Sequence, residues 1–511
     1  MIAKTMSIIP SGFTATPIEI EGAKSKGLPG FNIVGMGTRT VSEARERVKA
    51  AIKSCGFSFP DQKLTINLAP ADLEKDGTFL DLSIAINILI LSEQLRQEDV
   101  TGAAFVGELS LDGSLRPVRG IINIVEVAKK LGVTSLFIPD KNFIQAQIIS
   151  GIALFPAKNL TDIFLHLKGQ LKLRPSESVV KNTKSDTISP AFPTFDDISG
   201  QDLGKRAIEI AIAGRHNILL SGPPGTGKTT LAKAGLNLLP PLSVAEQISI
   251  TKLHSLTGLT DQIVTIRPFR TPHHTSSLIS LTGGGSIVAP GEISLAHLGV
   301  LFLDELPEYP RPHLEALRQP LEDRKITISR AKTRTIFPAD FMLIATMNPC
   351  PCGYLGDPTH PCTCTETMIA NYQKKLSGPL LDRIDLFVEV GRIDASSILS
   401  SNPSSQSRTH THNVVKNTIT DAINIQRQRF SSQTVYNSSA TTTDIVNKFY
   451  LTKESKNLLD SAATRLDISA RSYFKIIKVA RTIADLEKTD KILPAHLAEA
   501  LSLRQKISKK I

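Results

Sequence analysis

The sequence predicts an α/β core that carries an α-helical lid and follows an α+β unit. Three observations predict it. Asn217-Ile218-Leu219-Leu220 is an apolar run, followed by the glycine-rich Ser221-Gly222-Pro223-Pro224-Gly225-Thr226-Gly227-Lys228-Thr229-Thr230 and by Leu231-Ala232-Lys233-Ala234, which starts a helix. Two later apolar runs, at 299–303 and 341–347, each end in polar residues, as buried strands do when their C-terminal edge carries chemistry. The first 168 residues mix alternating with helically spaced stretches, and Ser469-Ala470-Arg471 opens a helix running through Lys478 and Ala484.

In chain order, residues 1–168 form the first unit. Gln62-Lys63-Leu64-Thr65-Ile66-Asn67-Leu68 alternates as a strand, 42–54 is helically spaced behind a serine N-cap at Ser42, and 85–95 and 121–131 read as further helices. Residues 169–193 turn to Ser, Lys, Thr, Asn and Pro without apolar periodicity, a flexible linker. The core spans 194–392 and the helical lid 393–511; a Ser/Asn/Gln-rich stretch at 396–413 blurs the start of the lid.

The chain has 511 residues, 41% hydrophobic and 21% charged, which is ordinary for a soluble protein of several domains. Its formal charge of +11 favours a polyanionic partner, most simply nucleic acid, while zero Trp leaves little room for aromatic base-stacking platforms. No apolar run approaches the ~20 residues of a membrane span, and the tightest cluster is 84–91. The first seven residues lack a signal-peptide hydrophobic region, so the expected location is the cytoplasm, with no membrane partner.

The strand, glycine-rich loop and helix around 217–234 make a P-loop. Gly222, Gly225 and Gly227, with Pro223, Pro224, Thr226 and Thr230 between and after them, curl the backbone so that N–H groups face phosphate oxygens, and the helix N-terminus adds partial positive charge. Lys228 then reaches the β/γ-phosphates of ATP, and the Thr229 hydroxyl completes a Mg²⁺ shell. The strand ending in Asp304-Glu305 supplies the carboxylates: Asp304 for the Mg²⁺ water shell, Glu305 as general base toward the attacking water.

Several segments resemble known families. Phe195-Asp196-Asp197-Ile198-Ser199-Gly200-Gln201 resembles the entry segment of AAA+ ATPases, which places Ile198 beside adenine. The same resemblance makes Asn348 a sensor-1 residue near the γ-phosphate, Arg383 in Leu380-Leu381-Asp382-Arg383-Ile384-Asp385 an arginine finger for the neighbouring subunit, and Arg471 a sensor-2 arginine. Arg267-Pro268-Phe269-Arg270-Thr271-Pro272-His273-His274-Thr275-Ser276 resembles the helix-2 insert of the magnesium-chelatase branch. Adjacent side chains in a loop point apart, so the His pair reads as structural or partner-facing rather than metal-binding. Residues 324–336 alternate like a presensor-1 hairpin, with Arg330, Lys332 and Arg334 on one parity, as candidate DNA contacts lining a pore; a plain solvated hairpin is the alternative. Arg267 and Arg270 are second candidates for DNA.

In the first unit, Lys75-Asp76-Gly77-Thr78-Phe79-Leu80 and the segment 107–118 resemble the proteolytic domain of Lon-type proteases, which has a ribosomal-S5-like fold. The positions of that family's Ser and Lys dyad hold Phe79 and Ile122, which offer neither nucleophile nor base, so the unit is a non-proteolytic relative.

Cys350-Pro351-Cys352 and Cys362-Thr363-Cys364 form two C-x-C pairs, with Gly353, Gly356 and Pro358 to turn the loop between them. Four thiolates so spaced suit one tetrahedral Zn²⁺; free thiols or a redox pair are the alternatives. Cys55 stands alone.

Taken whole, the chain resembles the ComM/YifB family of magnesium-chelatase-like AAA+ ATPases. That resemblance implies a homohexameric DNA motor acting on single-stranded and branched DNA, a helicase for branch migration in natural transformation, with recombination proteins as partners. Two rivals stand beside it: the ATPase subunit of a metal-inserting chelatase, and a non-motor switch whose ATP cycle docks proteins.

Overall fold

The computed structural model describes residues 2–35, 38–70, 77–175, 192–285, 288–329, 334–392 and 412–504. Its first unit is built on a mixed sheet in the order Ile2–Ser11, Thr14–Ser25, Lys63–Ala69, Gly30–Val34, the first two pairings antiparallel and the third parallel. Period-two alternation buries Ile18, Ile20, Leu64, Ile66 and Leu68 on one face.

Against that sheet packs the helix Asp81–Leu91, buried along its whole length. Its polar residues find partners inside: Asp81 pairs with Arg47 (Oδ2 to Nε 2.9 Å), Ser83 donates to the Phe105 carbonyl (2.8 Å), and the Asn87 amide nitrogen donates to the carbonyls of Ala3 (3.1 Å) and Ile20 (3.0 Å), while its Oδ1 accepts from no group among the described residues. The expected helix at 85–95 therefore starts and stops too late, because buried Asp, Ser and Asn look like surface in a sequence. The helix expected to begin behind Ser42 instead spans Thr38–Ser54, so that serine lies inside it rather than at its cap.

A second sheet in this unit, Ala103–Phe105, Ser135–Pro139, Ala153–Ala157, is wholly parallel and shares a hydrophobic cluster with the helix Ile121–Lys130. Ile122 is fully buried there and Phe79 packs between the unit's two clusters, so both side chains are packing residues. Lys75 and Asp76 lie outside the described residues.

The central sheet has five parallel strands in the order Phe269–Arg270, Val300–Leu303, Met342–Met347, Ile218–Ser221, Leu386–Glu389. Because all run one way, the loops after Ser221, Leu303 and Met347 emerge at one edge, and the residues that precede the strands collect at the other. The lid helices His412–Phe430, Ala470–Leu486 and Pro494–Ser502 share one core with the sheet and the helix Asp202–Gly214, through residues such as Ile208, Ile212, Val388, Ile419 and Ile483. A buried polar bridge crosses this joint: His216 meets Asp385 (3.3 Å) on one side and Thr482 of the lid (2.8 Å) on the other.

The first unit docks on the helix Val244–Thr257. The Ser255 hydroxyl accepts from the Gly120 N–H (3.0 Å), Lys252 pairs with Glu126 (2.5 Å), and Gln145 donates to the Thr260 carbonyl (2.8 Å).

Candidate nucleotide site and metal centre

The P-loop leaves the sheet between two strands, and its glycines answer to local geometry. A Cβ on Gly222 would meet the Val390 carbonyl at 2.1 Å, while Gly225 (φ 78°) and Gly227 (φ 82°) occupy the left-handed region. Gly227 caps the helix Lys228–Leu236, so the first free N–H groups of that helix face the loop's hollow. Lys228 folds back over the loop: Nζ donates to the carbonyls of Gly222 (2.7 Å) and Pro223 (2.8 Å) and lies 3.4 Å from Asn348 Oδ1. Burial holds its ammonium below the usual lysine range, with Asp304 and Glu305 opposing. Thr226 binds the Pro223 carbonyl (2.9 Å), and Gln201 ties the loop to the sheet by donating to the carbonyls of Thr226 (3.2 Å) and Gly391 (2.7 Å). Ile198 packs on the edge of the core beside this loop's helix.

The carboxylates stand at the same edge. Thr229 Oγ1 donates to Asp304 Oδ2 (3.3 Å), and both Asp304 and Glu305 are exposed to the cleft. Glu305 sits at φ 51°, a left-handed conformation that a non-glycine residue adopts only when its surroundings hold it there. The residue that holds it is one the sequence reading missed. Thr346, fully buried on the neighbouring strand, donates its hydroxyl to Asp304 and accepts from the Glu305 N–H (3.1 Å). A lone hydroxyl in the run Ile344-Ala345-Thr346-Met347 was the available signal. A hydroxyl beside a carboxylate is an all-oxygen donor pair that fits Mg²⁺, and the glycine loop with Lys228 fits a triphosphate.

Arg383 and Arg471 are not at this edge. Arg383 follows the helix Gly378–Leu381 and precedes the strand Leu386–Glu389; Arg471 is in the first turn of the helix Ala470–Leu486, which Ser469 caps. Both line a cavity of about 590 Å³ together with Asn217, Asp340 and Asp385, residues that precede strands. They therefore lie at the end of the parallel sheet opposite the P-loop.

Of the DNA candidates, Arg330 and Lys332 lie outside the described residues. Arg334 begins the strand Arg334–Pro338, paired antiparallel with Lys325–Ser329, and it is exposed on the face opposite buried Ile326 and Phe337. Arg267 is a correction to the sequence reading. Its side chain is 6% exposed, spent on Glu246 (3.0 Å) and on the carbonyls of Pro240 and Leu298 (both 2.7 Å), so it braces the helix-2 region and faces no solvent channel. Arg270 is likewise engaged, with Nε and Nη2 on the two oxygens of Glu292 (2.6 and 2.7 Å). The rings of His273 and His274 lie against each other, 4.1 Å between centroids and tilted by 33°, rather than pointing apart.

Cys350, Cys352, Cys362 and Cys364 come together with all four Sγ atoms within 4.8 Å of one another. The Sγ separations of 3.4, 3.5 and 3.7 Å among the first three approach the ~3.8 Å edge of a ZnS₄ tetrahedron. Backbone N–H groups of Tyr354 and Thr363 pull the Cys352 thiol down to about 5, while burial and the neighbouring Cys350 and Cys352 sulfurs push Cys362 and Cys364 up against their own backbone hydrogen bonds, so these thiols titrate as one cluster. Gly353 (φ 86°) turns the loop directly onto the P-loop: a Cβ there would sit 2.7 Å from the Pro224 ring. The far side of the loop is pinned by Arg392 on Asp357 (2.8 Å). Cys55 lies elsewhere, near the Asp112 carbonyl.

A parallel-sheet P-loop core packed with helices defines a AAA+ ATPase domain of the magnesium-chelatase type. Family models agree along the chain: magnesium chelatase subunit ChlI matches residues 194–398, subunit ChlI of Mg-chelatase matches 20–142, and the ChlI C-terminal model matches 409–504. Competence protein ComM of Haemophilus influenzae is 42% identical over 496 residues, covering 96% of this chain and 95% of its own. YifB of Salmonella typhimurium and YifB of Escherichia coli are each 41% identical with the same coverage. The chain belongs to the ComM/YifB family of magnesium-chelatase-like proteins. Among the described residues no helix is long and apolar enough to cross a membrane.

Proposed function

We propose that this chain is an ATP-driven DNA motor: a hexameric ring whose ATP hydrolysis moves single-stranded or branched DNA, as in branch migration during natural transformation. The observation that carries the ring is the position of Arg383 and Arg471, at the sheet end away from their own P-loop. An arginine there serves hydrolysis only by reaching the phosphate of an adjoining subunit, so the site is complete only between copies. The competence-associated relative, alignable over 96% of the chain, supports DNA as the polymer acted on. Exposed Arg334 beside the hairpin tip supplies the phosphate-facing charge.

In this reading the loop amides, Lys228 and Asn348 bind the β/γ-phosphates, and Thr229 and Asp304 hold Mg²⁺, which neutralises phosphate charge when bound. Glu305 takes the proton of the attacking water, oriented through Thr346. The four cysteines hold Zn²⁺ and fix the loop that follows Asn348. The first unit is a Lon-like, ribosomal-S5-like fold without protease chemistry. The units run 1–168, 194–392 and 393–511, joined by a linker at 169–193.

The names of the matching family models favour a second reading, an ATPase subunit that works on a protein or metal-insertion partner. ATPase measurement with single-stranded and branched DNA tests the two. A motor is stimulated several-fold and moves a branched junction; an ATPase indifferent to every DNA structure sinks the motor reading.

A further inference from the structure

Arg383 and Arg471 come from different domains and end on one side chain. Arg383 Nη2 pairs with Oε2 of Glu322, and Arg471 Nη2 lies 3.6 Å from Oε1 of the same carboxylate. Glu322 is half exposed on the short helix Arg318–Asp323, which immediately precedes the hairpin strand Lys325–Ser329. That helix holds Arg383 twice, since Nε also donates to the Arg318 carbonyl (2.9 Å) while Nη1 donates to the Pro379 carbonyl (2.6 Å). The plane of the Arg383 guanidinium is thereby fixed. Arg471, 44% exposed, makes its ion pair with Glu322.

The other cations around the cavity have partners of their own. Arg215 and Arg324 pair with Asp340 (3.5 and 3.7 Å), Lys475 donates to the Ile384 carbonyl (2.8 Å), and Lys478 donates to the Ser438 carbonyl (3.0 Å). Glu322 is thus the anion at which the two arginines converge. Two guanidinium groups brought this close repel each other, and a carboxylate between them both cancels that repulsion and sets their spacing.

We propose that Glu322 is a positioning residue for ATP hydrolysis at the neighbouring subunit's site: its carboxylate bridges Arg383 and Arg471 and presents them as one unit to the incoming triphosphate. This rests on the reading that both arginines act on a neighbour. Without the carboxylate the exposed Arg471 swings free and Arg383 loses its outer constraint, so the developing charge on the γ-phosphate meets arginines that must first be ordered. Glu322 is remote from its own subunit's P-loop, so nucleotide binding is spared.

The test uses the full-length assembled protein. Glu322→Ala is expected to lower kcat by about tenfold or more while KM for ATP stays within about twofold, the pattern of an interaction made in the transition state. Glu322→Gln, whose amide oxygen accepts from one arginine, should recover part of the rate and guards against a folding defect. Mixing Glu322→Ala with Lys228→Ala subunits should restore activity, because the intact arginines of one face the intact P-loop of the other. Arg383→Ala mixed with Lys228→Ala is the control. A Glu322→Ala enzyme as fast as or faster than the parent overturns the proposal, as does a loss carried by KM. Rescue of Arg383→Ala without rescue of Glu322→Ala overturns it while leaving the shared site standing. Rescue of neither removes the shared-site reading itself.

Discussion

Thr346→Val deletes one hydroxyl from a fully buried position and keeps the branched shape. In the structure that hydroxyl donates to Asp304 Oδ1 and accepts from the Glu305 N–H, so its removal takes one of two hydroxyl donors from the carboxylate, leaving Thr229 on Oδ2, and leaves the amide without its acceptor. A hydrogen bond to a charged group contributes about 1.5–3 kcal/mol. Glu305 also occupies a left-handed conformation costing roughly 1–3 kcal/mol, and the amide bond to Thr346 is part of what keeps it there. If about 1.5–3 kcal/mol of this ordering is lost from the transition state, kcat falls roughly 10- to 150-fold. Phosphate release gives kcat, and a fluorescent ATP analogue gives affinity, which should move less than about threefold because Lys228 and the loop are untouched. A Thr346→Val enzyme that hydrolyses ATP at the parent rate would refute the claim that this hydroxyl organises the two carboxylates.

Three further outcomes are expected. Glu305→Gln should retain ATP binding and lose about 10²-fold or more in turnover, leaving an ATP-bound assembly detectable by light scattering; normal turnover would remove Glu305 from the role of base. Protein purified without chelator should carry one Zn²⁺ per chain by elemental analysis, and Cys352→Ser should lose it; metal-free parent protein with intact ATPase activity would refute the zinc site. Burial pushes the Asp81 carboxyl up to about 7, against the pull of Arg47. Its folded pKa lies above its unfolded one near 4, so this group's contribution favours the folded state most below pH ~4 and declines as pH rises to ~7. Replacing it with Asn should flatten that component, so the gap in melting temperature between parent and Asp81→Asn should change between pH 5 and pH 8; a gap independent of pH would show the carboxyl already ionised throughout.

The parts of the fold that were legible in the sequence are those where one environment acts on consecutive residues. The strands Ile218–Ser221, Val300–Leu303 and Met342–Met347 are buried on both faces, so they read as unbroken apolar runs, and the polar residues that follow each mark the same edge. What stayed hidden depends on long-range partners. Asp81 and Asn87 are buried because Arg47 and distant backbone carbonyls pair with them, and nothing within their own helix says so. Arg267 looks like any surface arginine until Glu246 and two carbonyls close around it. The cysteine pairs were legible as a ligand set because close pairing leaves little choice of partner, but the seat of Gly353 on Pro224, which joins that loop to the P-loop, was not.

A division of labour between the two ends of one sheet explains why the polar residues lie so far apart in the chain. Parallel strands place every strand-to-helix loop at one end, and there Lys228, Thr229, Asp304, Glu305 and Asn348 gather. The opposite end receives the segments that enter strands, and so receives Arg383 and, through the lid, Arg471. A rigid sheet a few residues long separates them, and no side-chain motion within one subunit closes that gap. In the proposed ring, association closes it, setting the arginines of one chain against the phosphates of the next. The helix that contacts both arginines runs straight into the hairpin carrying Arg334; under the proposed function, a displacement of that hairpin by bound DNA would reach Arg318 and Glu322 first, and through them the neighbouring nucleotide. In that reading, one short helix rather than the whole domain joins hydrolysis to the contact with the polymer.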